Sequence, residues 1–158
     1  MNTVNFAHIE QAIDKIDAMD DAALDRLNET QAIAQPTLIS YVMSAVDEYD
    51  NEKLESLLVF YFTVLHESFV LAGNTPKTVT EDDIDAFEEE YFEVLDAYFN
   101  SEDETLLEEF TDQPELVKFM AMEIGAEEEN DEMMDDETAT QVFIVTMALT
   151  SLLSRASI

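Results

Sequence analysis

His66 followed by Glu67 is the one place in this 158-residue chain where a histidine stands directly beside a carboxylate able to orient it. That pairing is the raw material of a general base. A base needs a nucleophile or a substrate proton to act on, and no nucleophile motif accompanies this one. The favoured reading is structural: a boundary histidine hydrogen-bonded to backbone or to an acid. His8 has still less around it.

Carboxylates are abundant, so metal chemistry has to be tested. Di-iron helical sites use Glu-x-x-His on facing helices. The residue three before His66 is Thr63, and the residue three before His8 is Asn5, so both fail. A calcium loop needs spaced acids around a central glycine. Neither 100–110 nor 127–137 contains one. The glycines, Gly73 and Gly125, are isolated, so no glycine-rich loop can cradle a phosphate and no G-x-S-x-G elbow can present a serine. Cysteine is absent, which removes disulfides and thiolate metal sites. No cofactor and no enzymatic activity are expected.

What remains is charge. Thirty-eight Asp and Glu against six Lys and Arg give a formal charge of -32. Solubility of a small domain asks for about 2–8 units. The surplus destabilises a compact state by self-repulsion and so calls for a cause. Direct nucleic-acid binding is disfavoured, because such proteins neutralise phosphates with Lys and Arg.

One acidic group has a pattern. Asp82, Asp85, Glu89, Glu93 and Asp96 follow offsets of 3, 4, 4 and 3, which keep them on one face of a helix. At ~1.5 Å rise per residue neighbouring members stand about 5 Å apart along the axis. That loosely resembles the ~3.4 Å rise per phosphate of one DNA strand. A second group, Glu127, Glu128, Glu129, Asp131, Asp135 and Asp136, belongs to an expected acidic loop at 127–137, since blocks of like charge resist packing. These eleven residues are the candidate contacts for a partner.

The elements that carry them read as helices. Phe6, Ile9, Ile13 and Ile16 mark one face of a first helix ending near Asp20 and Asp21. Leu24 and Leu27 mark a shorter one running towards Gln35. Pro36 suits the first turn of a third, which stops around Asp50 and Asn51. A helix over 52–72 is apolar nearly all round, so it is expected at the centre, with Leu57, Leu58, Phe60, Tyr61, Val64 and Leu65 in the core and Gly73 as its stop. Thr80 and Asp83 resemble a capping box opening a helix to Asn100, whose inner stripe is Ile84, Phe87, Tyr91, Val94 and Tyr98. A short segment follows with Leu106, Leu107 and Phe110. Asp112 and Pro114 then open a helix that Gly125 is expected to end, and a last helix starts near Thr138.

No strand-like alternation and no internal repeat interrupts this. The expectation is a single all-α domain over 1–158, an irregular bundle of about six or seven helices around a buried central helix. The apolar runs 57–65 and 142–153 fall short of the ~20 residues that span a bilayer. No signal peptide is read at the N-terminus, so cytoplasm is the default and no membrane association is expected. Met120, Met122, Met133 and Met134 allow an adaptable contact surface without specifying one.

Three explanations of the charge follow. The first is a non-catalytic acidic protein that covers a basic, nucleic-acid-binding type of surface on a partner. DNA-mimic and immunity-type inhibitors share that composition rather than a motif. The second is adaptation to high salt. The third is a helical chaperone or adaptor, kept soluble by its acids. The first is adopted; self-association into a homo-oligomer is left open.

Overall fold

The computed structural model describes residues 3–129 and 134–157, the side chains of 127–129 excepted. The described residues form eight helices: α1 (Phe6–Asp17), α2 (Asp21–Ala34), α3 (Pro36–Tyr49), α4 (Lys53–Leu71), α5 (Glu81–Ser101), α6 (Thr105–Thr111), α7 (Pro114–Glu129) and α8 (Asp136–Ala156). No strand occurs among the described residues. The all-α class is as expected; the count exceeds the expected six or seven, because the short segment around Leu107 is a helix of its own.

Local chemistry sets most starts. Thr80 accepts a hydrogen bond from the Asp83 amide at 3.2 Å, and Asp83 accepts one from the Thr80 amide at 2.9 Å, the reciprocal capping box. Asp20 and Asp135 accept from the amides of Ala23 and Thr138, each at 2.8 Å. Pro36 occupies the first turn of α3. His8 has a plain role: its Nδ1 accepts from the Asn5 amide at 3.1 Å while Asn5 Oδ1 accepts from the His8 amide at 3.2 Å. This is a capping box with histidine in the usual place of glutamate.

Helix ends depart further from expectation. Gly73, at φ 88°, closes α4 as foreseen. Gly125 does not stop α7, which continues to Glu129, so the expected loop at 127–137 loses its first three residues to α7 and its last two to α8. Asp112 does not open α7. It ends α6 at φ 57°, in the left-handed conformation that Asp tolerates better than most residues.

The core is built on two helices rather than one. Packing of α4 against α8 is the most extensive in the fold. Both are long and apolar enough to cross a membrane by length and composition, with mean hydropathies of 1.5 and 1.3. In this fold 67% of the apolar window of α4 and 78% of that of α8 are buried, which makes α8 the more enclosed. Two of its polar positions are satisfied by the helix itself, since Thr146 and Thr150 donate to the carbonyls of Val142 and Thr146, each at 2.8 Å, whereas the buried Ser151 hydroxyl has no hydrogen-bond partner among the described residues. A hydroxyl satisfied by its own helix can be buried at little cost. Leu57, Leu58, Tyr61, Val64 and Leu65 are in the core as expected. Phe60 is not: it is 40% exposed.

Buried glutamines tie the connections to this centre. Gln35 donates to the Lys77 carbonyl at 2.8 Å and accepts from the Val79 amide at 2.9 Å, which positions the loop leading into α5. Gln113 accepts from the Val4 amide at 2.9 Å. Amide side chains suit such work because they donate and accept at once.

Candidate partner-binding face

Helix α5 puts Ile84, Phe87, Tyr91 and Leu95 into the core. Asp82, Asp85, Glu89, Glu93 and Asp96 are all exposed, as the opposite side of a 3.6-residue helix requires. Four ion pairs occur among the described residues, Lys15–Glu67, Lys53–Asp135, Lys118–Glu108 and Arg155–Glu90. None uses an acid of this stripe. Among the described residues the face is thus a row of carboxylates without an ion-pair partner.

The second acidic group has a different anatomy. Glu127, Glu128 and Glu129 continue the backbone of α7. Asp131 lies outside the described residues. Asp135 is the N-cap of α8; hydrogen bonds from Thr138, with Lys53 nearby, hold its carboxyl below the usual range. Asp136 is exposed in the first turn of α8. Asp135 therefore has a structural task that accounts for it without a partner. Tyr98 and Phe99 near the end of α5 line a small cleft with Ile124 of α7 and Thr140 and Phe143 of α8. That cleft brings the end of the stripe-bearing helix close to the ends of α7 and α8.

Among the described residues the methionines singled out do not form a common surface. Met120 and Met134 are fully buried, Met122 is 67% exposed, and Met133 lies outside the described residues. Among the described residues no group of carboxylates and histidines converges as the ligands of a metal would.

His66 and Glu67 do not form a dyad. Glu67 is 4% exposed and accepts from Lys15 Nζ at 2.7 Å, so its partner is a lysine of α1. Consecutive helical residues point about 100° apart, which explains the separation. His66 is buried beside Phe62, and no group hydrogen-bonds its Nδ1 among the described residues. The expected hydrogen-bonded boundary histidine is therefore corrected to a buried one. Burial lowers its pKa, with Glu67 opposing.

Two aromatic residues escaped the sequence reading. Phe92 and Phe99 are 54% and 48% exposed on the flank of the stripe. Their signal was legible: they stand seven residues apart and off the apolar stripe, where a folded helix has no use for phenylalanine.

No family model matches the chain, and neither a curated protein nor a solved structure matches it.

Proposed function

We propose that this chain is a non-catalytic acidic binding protein that covers a basic, nucleic-acid-binding type of surface on a partner protein, as DNA-mimic and immunity-type inhibitors do. The observation that carries the reading is the face of α5, where five exposed carboxylates share one side and none is in an ion pair among the described residues. Like charges at this spacing oppose helix stability by a few tenths of a kcal/mol per pair. A partner that supplies the missing cations recovers that energy on binding. Complementary charge also gives fast, salt-sensitive association. Nucleic acid itself is not the ligand, since its phosphates meet a field of their own sign.

The test is a pull-down from the native cell extract with the full chain, followed by DNA competition on the recovered proteins. Basic nucleic-acid-binding partners that release DNA on binding are expected. A variant with Asp82, Asp85, Glu89, Glu93 and Asp96 changed to Asn or Gln keeps the shape of the face and should lose the interaction. Neutral or acidic partners overturn the reading; undiminished binding by the neutralised variant overturns the assigned face.

A further inference from the structure

Helices α3 and α5 both pack on α8 but make little contact with each other. The gap between them is a groove of about 240 Å³. Tyr41, Glu48 and Tyr49 of α3 form one wall, Glu88 and Phe92 of α5 the other, and Ile144 of α8 lies between. Helical spacing produces this lining: 41 and 48 are two turns apart and 88 and 92 one turn apart, so each set shares a face.

The chemistry of the lining is specific. The faces of aromatic rings carry negative quadrupole density and attract cations. Glu48 and Glu88 add full negative charges, and neither belongs to an ion pair among the described residues. None of the chain's six Lys and Arg residues lines the groove. Further negative charge is resisted there: the Tyr41 hydroxyl is pushed up to about 12 by burial, then by Glu88, Tyr49 and Glu48. The other flank of α5 shows how this chain holds a cation. The Arg155 guanidinium carbon lies 5.3 Å from the centre of the Phe87 ring and 5.0 Å from that of Phe110, and its Nη2 is 3.3 Å from Glu90 Oε2. Rings and a carboxylate grip one guanidinium. The groove repeats that combination with no Lys or Arg among its lining residues.

We propose that the groove between α3 and α5 is an anchor pocket for one arginine side chain of the basic partner. The proposal rests on the partner reading above and adds to it a residue type and a place. Arginine rather than lysine is assigned because a guanidinium is planar, more weakly hydrated and able to stack on a ring, whereas an ammonium holds its water. The apolar Ile144 and the aromatic rings of the lining suit the flat group, and the two carboxylates are acceptors for its N–H donors.

Nuclear magnetic resonance on the isotope-labelled full chain tests this, with Nα-acetyl-arginine amide as probe and its neutral citrulline counterpart as control. Saturable shifts confined to Tyr41, Tyr49, Phe92, Ile144 and their neighbours are expected with the arginine probe and not with citrulline. Phe92→Leu keeps an apolar side chain at an exposed position and should weaken binding about three- to tenfold, the measure of one lost ring–cation contact. Glu88→Gln should weaken it as well. Unsaturating shifts spread over the whole acidic surface, an unchanged affinity in Phe92→Leu, or tighter binding of the corresponding lysine amide would each overturn the pocket. The stripe-neutralised variant separates the two readings: it should lose the partner and still bind the arginine probe. Stripe-dependent DNA competition with no groove titration removes the pocket alone; groove titration with no basic partner recovered removes the partner reading alone.

Discussion

The hydroxyl of Tyr91 donates a hydrogen bond to the carbonyl of Ile144, pinning the middle of α5 to the middle of α8. Tyr91 is 1% exposed and stacks on Phe87 with ring centres 4.8 Å apart. This pin fixes which side of α5 faces inward, and so it aims the acidic stripe outward. Ile144 belongs at the same time to the floor of the α3–α5 groove.

Removing the pin should cost little and removing the ring much. Tyr91→Phe should lower unfolding free energy by about 0.5–1.5 kcal/mol, one net hydrogen bond. Tyr91→Ala should lower it by about 3–5 kcal/mol, because a cavity is left in the core. Urea denaturation of the two variants checks this; equal losses would deny the ring its packing role.

Glycine and glutamate occupy each other's preferred places in this chain. Gly125 is helical, and a methyl group added there meets nothing within 4 Å. Gly125→Ala should therefore stabilise by about 0.5–1 kcal/mol. Glu102 ends α5 at φ 56°, a left-handed conformation that strains any residue with a Cβ. Glu102→Gly should stabilise as well, by roughly 0.5–1 kcal/mol after the added freedom of the unfolded chain is subtracted. Thermal melts of each variant decide the matter, a lowered melting temperature counting against the assigned backbone geometry.

Neutralising the stripe should stabilise the isolated protein while it abolishes binding. Changing Asp82, Asp85, Glu89, Glu93 and Asp96 to Asn or Gln removes repulsion between neighbours one turn apart. The gain in melting temperature should be largest at low salt and shrink as the Debye length falls below about 10 Å. A gain independent of salt would point to a cause other than charge.

Acid should act on the core through His66. Burial lowers its pKa in the folded protein from an ordinary value of 6.5. The unfolded chain therefore takes up its proton first, and the folded state binds fewer protons between the two values. The stability contributed by the neutral ring is full above the unfolded value and falls away as pH drops through the lowered one. His66→Leu removes this titration. Its melting temperature relative to wild type should rise on going from about pH 7.5 to about pH 5.5, across the ordinary histidine range. A difference constant over that range would show that His66 does not titrate with unfolding.

What could be read from the chain alone was whatever one turn of helix decides. The Thr80–Asp83 box, the Pro36 start and the Gly73 stop depend on groups within four residues of one another. The outward face of α5 follows from the offsets between its acids and its inner stripe. Such signals need no neighbour to take effect. Tertiary packing decided the rest. Phe60 and Val64 look equally apolar in sequence, yet one is 40% exposed and the other 1%, because a helix side is buried only where another helix arrives to cover it. Glu67 could not be assigned to Lys15, fifty-two residues away, before α1 was laid against α4. The groove of Tyr41, Glu48, Glu88 and Phe92 was invisible for the same reason. Each wall is an ordinary helix face, and the two form a groove only because α8 holds α3 and α5 side by side without letting them close.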